Sequence, residues 1–263
     1  MKPVALSKAR LKQFVKLHQK KFRDQEGLFM AEGLRTVREL CLNLPEGEML
    51  VALLIREGEV EAASYAQRYR EKVFSVTDRD SSQLAQTSTS QGIFGVFRQQ
   101  RKDVHEAEVK PGRSLIIALD EVQDPGNVGT ILRTAVWFGA DAMLCSAGTS
   151  DRYNAKAVRS SAGSIYAIRH SGVEHLCLEL RRLQKQGYAV VCSSLDGKDF
   201  REFPDRPEKI VLVIGNEANG ITDPVRAVAD RLVRIPNIGS SVRVESLNAS
   251  VSAAILIERL TLG

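Results

Sequence analysis

With 263 residues, 43% of them hydrophobic and 26% charged, the chain has apolar material for two domains of ordinary size or one large one. No apolar run approaches the ~18 residues of a membrane span, and 37 Lys and Arg against 32 Asp and Glu leave a net charge of +5, which favours a polyanionic partner. The first 23 residues hold eight Lys or Arg and no Asp or Glu, but they are Lys-dominated and run straight into folded-looking sequence. A transit peptide is therefore not expected, and a cytoplasmic protein is. Cys41, Cys145, Cys177 and Cys192 form no Cys-x-x-Cys pair and read as reduced thiols. The histidines show no ligand spacing, so no metal site is expected, and His170 and His175 read as surface residues.

Residues 7–22 set Leu11, Phe14, Val15 and Leu17 among lysines, the pattern of an amphipathic basic helix. Its charged side is either a solvated face or one that meets nucleic acid. Phe29–Gly33 reads as a strand, Leu34–Leu42 as a helix, Val51–Ile55 as a strand and Glu59–Arg70 as a helix. Val73–Val76, a short helix over Ser81–Gln86 and a strand over Gly92–Phe97 follow. Helices alternating with short strands imply a small α/β layered domain. The charge-rich stretch 98–113, closing on Pro111-Gly112, is the best linker, which places a boundary near residue 106 and divides the chain into 1–106 and 107–263.

The pattern then restarts. Strands are expected at Ser114–Asp120, Ala142–Cys145, Ser164–Ile168, Tyr188–Ser194 and Ile210–Gly215, with a last one around Leu232–Ile235. Helices are expected at Asn127–Phe138, Asn154–Ser160, Glu174–Gln186, Pro224–Ala229 and over the C-terminal stretch. Continuous apolar strands separated by helices indicate a mostly parallel sheet covered on both faces, and such sheets bind ligands beyond the carboxyl ends of their strands. In the last helix the apolar positions Leu247, Val251, Ala254, Ile255 and Leu260 share roughly one face, with small residues between them, and Ser246 is placed to cap it.

Three loops follow such strands. Asp120–Asp141 carries Gly126 and Gly129, with Asn127 and Arg133 six residues apart. Val213–Thr222 brackets Glu217 between Gly215 and Gly220. The third runs from Pro236 past Gly239 to Ser246 and Asn248. Read blandly, these residues are a helix cap, a surface cation and a solvated acid. None of the loops is a G-x-G-x-x-G or a Walker A sequence, so an ordinary dinucleotide or nucleotide fold is not supported.

Taken together, D-P-x-N-x-G-x-x-x-R-T-A, I-G-x-E-x-x-G and I-P-x-x-G…E-S-L-N-x-S-V, in this order and at these separations, resemble the SpoU/TrmH branch of the SPOUT methyltransferases. The resemblance covers the whole second half. The basic opening helix, F-M-A-E-G-L-R and Q-G-I-F-G-V-F also look like that family's ribosomal-protein-like α/β substrate-binding domain. What the resemblance implies is an α/β fold whose SPOUT domain has a parallel sheet and a deep trefoil knot. It further implies transfer of a methyl group from S-adenosylmethionine to a ribose 2′-hydroxyl of RNA, 23S ribosomal RNA rather than transfer RNA, by a homodimer. On matching positions the cofactor would lie against main chain around Gly215, Asn216, Ile235, Pro236, Gly239 and Leu247. Arg133 would stand nearest the reaction, with Asn127, Glu217, Ser246 and Asn248 ordering ribose and loops. RNA would meet Lys12, Lys16, Lys20 and Arg35.

A guanidinium stays protonated, with a pKa above ~12, so anchoring a phosphate suits Arg133 better than acting as a base, and Glu217 is a candidate to hold it by a charge-assisted bond. One departure from the family pattern is the five-residue stretch Ser240–Val244 between Gly239 and Glu245, which is longer than usual and adds Arg243. Two other readings remain at this point: a non-catalytic RNA-binding protein on the same scaffold, and a small-molecule methyltransferase or oxidoreductase.

Overall fold

The computed structural model describes residues 3–45, 49–59, 67–100, 112–202, 207–239 and 245–262. The expected boundary near 106, Pro111, most of the helix expected over 59–70, and Ser240–Val244 with Arg243 lie outside the described residues. By internal contacts the chain forms two compact units. The first runs to residue 101 and takes in Asp151–Ala167; the second holds residues 102–150 and 168 onward.

The first unit is a five-stranded sheet in the order β1-β4-β3-β5-β2, formed by β1 (Val4–Ala5), β2 (Leu28–Glu32), β3 (Leu50–Arg56), β4 (Val73–Val76) and β5 (Ile93–Arg98). Strands β1, β4 and β3 run parallel, while β5 is antiparallel to both β3 and β2. Helix α1 (Lys8–Lys16) turns Leu11 and Phe14 inward, into a cluster with Met30, Leu54, Phe94 and Val96. Helix α3 (Leu34–Leu42) buries Val37 and Leu40, and α4 (Asp78–Leu84) is capped by Thr77.

The helix expected over 7–22 is two helices. It stops at Leu17 and resumes as α2 (Lys20–Glu26). The reason is the buried Arg23, whose Nη1 donates to the carbonyls of Leu17 and His18 at 2.8 Å each, satisfying acceptors that a helix end leaves without an intrahelical partner. The same guanidinium pairs with Asp151, Nε at 3.0 Å and Nη2 at 2.5 Å; the two side chains are 5% and 12% exposed.

Asp151 begins a segment that completes the first unit's core. Helix α6 (Ala155–Ser160) packs on β2. The Tyr153 hydroxyl accepts from the Gln100 amide at 2.8 Å, and the Tyr166 hydroxyl donates to the Arg98 carbonyl at 2.5 Å. Both rings pack against Phe29 in tilted arrangements, with centroids 4.9 and 6.0 Å away. The strand expected over Ser164–Ile168 is therefore a single 3-10 turn, Ser164–Tyr166. Ladder pairing starts only at Arg169, because Gly163 turns the chain at φ 79° and Ile165 and Tyr166 are spent on burial.

The second unit is a six-stranded, all-parallel sheet in the order β11-β9-β10-β6-β7-β8. Its strands are β6 (Ser114–Asp120), β7 (Ala142–Ser146), β8 (Arg169–Val173), β9 (Ala189–Asp199), β10 (Lys209–Gly215) and β11 (Arg231–Arg234). The central pair β6 and β10 is buried at nearly every position, as a sheet covered on both faces requires. Helix α7 (Leu176–Lys185) covers one side with Leu176, Leu180 and Leu183, and α8 (Asp223–Arg226) adds Val225. His170, read as a surface residue, lies on β8 and is buried.

Helix α5 (Pro125–Trp137) and the C-terminal α9 (Ala249–Leu262) pack against each other. The face of α9 that goes inward is Ala249, Ala253, Leu256 and Ile257, whereas Leu247, just ahead of the helix, and Val251 are each 47% exposed. The expected apolar stripe is thus not the buried face: the inward face combines two alanines at the start of the helix with Leu256 and Ile257 further on.

Candidate active site

Three strand ends of the second unit carry the site. Strand β6 ends at Asp120, whose carboxylate accepts from the Thr222 amide at 2.7 Å and so ties the first loop to the second. Asp124 caps α5 by accepting from Gly126 N at 2.6 Å, with Pro125 at the first helical position, where a missing N–H costs nothing. Asn127 is consequently not a cap. It lies inside the first turn of α5 and is buried.

Beyond β10 the chain makes a tight Asn216–Gly220 turn, closed by amides 2.8 and 3.0 Å from the opposite carbonyls. A Cβ on Gly215 would sit 2.4 Å from the Gly220 carbonyl carbon, so the approach requires glycine. The buried Asn216 side chain accepts from the amides of Ala218 and Asn219 and donates to the Glu121 carbonyl at 2.8 Å. This holds Glu217 over the start of α5. Glu217 Oε1 accepts from Asn127 Nδ2 at 2.8 Å and from Asp124 N at 3.3 Å, and Oε2 accepts from Gln123 N at 3.1 Å. Partial burial by itself raises this carboxyl; the bonds from Asn127 and the two amides outweigh it, and the group lies below the usual range.

The third loop joins the same chain of bonds. Asn248 Nδ2 donates to Asn127 Oδ1 at 3.0 Å, and Asn248 Oδ1 accepts from Ser250 N at 2.9 Å and Ser250 Oγ at 2.6 Å. Asn248, not Ser246, is therefore the cap of α9; Ser246 is exposed two residues earlier. Glu217, Asn127 and Asn248 form one continuous hydrogen-bonded relay from three separated motifs.

Arg133 is exposed on α5 and makes no hydrogen bond or ion pair among the described residues. The alternative Glu217–Arg133 bond does not form, because Glu217 is occupied by Asn127 and the Gln123 and Asp124 amides. Ile235 and Pro236 are half-buried just after β11, and Gly239 is exposed, its amide donating to Asn237 Oδ1 at 2.9 Å. In the first unit Lys12, Lys16, Lys20 and Arg35 are exposed. Lys20 pairs with Asp24 at 2.6 Å, Arg35 with Glu39 at 2.9 Å, and Lys16 lies over the Phe22 ring. Among the described residues there is no cluster of metal-ligating side chains, and no helix is long and apolar enough to cross a membrane.

A fourth loop escaped the sequence reading. Strand β9 pairs with β11 through Cys192, then again from Lys198, and between them residues 193–197 bulge out at the strand's carboxyl end. Asp196 is gripped by Arg226 at 2.8 Å, which holds its carboxyl down at about 2. A Cβ on Gly197 would lie 2.6 Å from the Val233 amide nitrogen. Leu195 on the bulge is exposed. The signal was available, since an L-D-G run follows a buried parallel strand.

A polar relay strung between loops at the carboxyl edge of a parallel sheet marks a ligand-binding site in an α/β domain. Residues 114–258 match the SpoU rRNA Methylase family, and residues 8–95 match the MRM3-like substrate binding domain. The chain belongs to the SpoU rRNA methylase family. It is 30% identical to the 23S rRNA (guanosine(2553)-2′-O)-methyltransferase RlmP of Bacillus subtilis, over 95% of each chain. It is 29% identical to the 23S rRNA (guanosine-2′-O-)-methyltransferase RlmB of Neisseria meningitidis, over 79% of this chain and 85% of that one. The AdoMet-bound rRNA methyltransferase from Sinorhizobium meliloti superposes with a TM-score of 0.81 at 30% identity, covering 98% of this chain and 95% of that one.

Proposed function

We propose that the protein methylates a ribose 2′-hydroxyl of ribosomal RNA, in the large subunit, with S-adenosylmethionine as donor and as a homodimer with a knotted C-terminal domain. The observation that carries this is the Glu217–Asn127–Asn248 relay, which makes three motifs one site. The donor supplies a methyl group on a sulfonium, open to in-line displacement. The residues suit it: Ile235 and Leu247, with the exposed Leu195 and Ile238, give apolar surface on the bulge of β9, on the loop beyond β11 and ahead of α9.

This chain's residues then act by holding and orienting. The Asn127 amide, its own orientation set by Glu217 and Asn248, fixes the two loops between which the ribose sits, and such positioning lowers a barrier by pre-organisation. Arg133 anchors the phosphate next to the reacting ribose, and Ser246 borders it. Lys12, Lys16, Lys20 and Arg35 meet the RNA backbone. What supports dimerisation is large apolar side chains left exposed: Trp137, 82% exposed on α5, Leu247 just ahead of α9 and Val251 within it.

The test is tritiated methyl transfer to large-subunit RNA from a strain lacking the gene. Label is expected in a dinucleotide that survives alkali, since a methylated 2′-oxygen cannot attack its phosphate. Arg133→Ala should abolish transfer with cofactor affinity kept. Label in a base, or none with cofactor bound, refutes the reading.

A further inference from the structure

Glu121 is the first residue past β6 and stands in the left-handed backbone region at φ 58°, which few residues other than glycine adopt. The chain is pinned there from two sides. Its amide donates to Ser146 Oγ at 2.9 Å, and Ser146 is itself braced by Thr149, whose hydroxyl reaches the Leu119 carbonyl. Its carbonyl accepts from Asn216 Nδ2. The half-buried side chain lies across Gly148, where a Cβ would come within 2.8 Å of Glu121 Cγ and 3.1 Å of Oε1. The carboxylate has no hydrogen bond or ion pair among the described residues.

A glycine at 121 would adopt this backbone without strain, so the backbone conformation itself does not call for a glutamate there. Strain that the surroundings enforce at a site edge points to use of the side chain. Glu121 also lies on the turn whose next amides, those of Gln123 and Asp124, hold Glu217. The carboxylate is thus an acceptor-only group beside the proposed ribose position.

We propose that Glu121 determines base specificity by accepting the N1–H and N2–H of a guanine whose ribose is the methyl acceptor. Unstacked RNA bases are read on their Watson–Crick edges. Guanine alone of the four presents two adjacent donors there, matching the two oxygens of a carboxylate. Adenine would set its N1 lone pair against the carboxylate. This inference rests on the proposed methyl transfer.

The experiment uses the full-length protein, once the methylated nucleotide is mapped, with short transcripts carrying guanosine, inosine or adenosine at that position. Inosine lacks only the N2 amine. Wild type should prefer guanosine over inosine by about tenfold to a hundredfold in kcat/KM, the value of one hydrogen bond to a charged group, and should reject adenosine. Glu121→Gly and Glu121→Gln should lose that preference while binding S-adenosylmethionine normally, and Glu121→Gly should melt at the same temperature or higher. Equal use of guanosine and inosine by wild type, retention of the preference by Glu121→Gly, or a mapped nucleotide other than guanosine overturns the inference and leaves the methyl transfer standing. Absence of transfer to any RNA overturns both.

Discussion

Replacing Asn127 by alanine tests the relay where it is most connected. The substitution deletes the bond to the ionised Glu217 at 2.8 Å and the bond from Asn248 at 3.0 Å. A bond to a charged partner contributes about 1.5–3 kcal/mol and a neutral one about 0.5–1.5. Because Glu217 is largely solvated, the sum belongs toward the lower part of that range, about 2–3 kcal/mol. For a unit of this size each kcal/mol moves the midpoint by about 2–4 °C, so the second unit should melt about 4–12 °C lower. Calorimetry of wild type, Asn127→Ala, Glu217→Ala and the double variant measures both the loss and the coupling. Asn127→Asp keeps the shape but turns an acceptor toward Glu217 Oε1, so it should be worse than alanine at neutral pH and recover as acid protonates the pair. A loss below about 0.5 kcal/mol, the level of an ordinary surface change, or independent effects of the two single variants, would mean that the relay does not hold the loops together.

Arg23→Met should destabilise the first unit by about 3–5 kcal/mol, since it strands the buried Asp151 and also leaves the Leu17 and His18 carbonyls unpaired; Asp151→Asn should cost less in the same urea titration, because Arg23 keeps both carbonyls. Gly215→Ala forces a carbon to within 2.4 Å of the Gly220 backbone, an overpacking cost of at least about 1–3 kcal/mol, read from the denaturation midpoint. The Glu217 carboxyl lies below its usual value in the native state, so its stabilisation is present above the unfolded pKa of about 4.3 and is lost as pH falls through the lower folded value. The gap in melting temperature between wild type and Glu217→Gln should therefore be widest above about pH 5 and close in more acidic buffer.

The parallel sheet was legible because β6 and β10 are unbroken apolar runs, a pattern that only two-sided burial explains. Which loops would matter followed from where those strands end. What linear sequence could not show is how side chains choose partners once three loops meet. Glu217 had two candidates, a guanidinium and an amide. Charge alone favours Arg133, yet the tight Asn216–Gly220 turn aims the carboxylate at the start of α5, where the Gln123 and Asp124 amides and Asn127 converge. The cap of α9 went to Asn248 for a related reason: an asparagine can accept from the new helix through Oδ1 and donate to Asn127 through Nδ2, and Ser246 cannot serve both from two residues away. Within Asp151–Ala167 the helix over Asn154–Ser160 was legible, but what the segment packs against was not, on different grounds. Its apolar residues, Tyr153, Ile165 and Tyr166, show no periodicity because they fill a core built from β2 and β5, more than fifty residues earlier in the chain. Local pattern reports a residue's burial, not the element it is buried against, and the Arg23–Asp151 pair, 128 positions apart, is the same lesson written in charge.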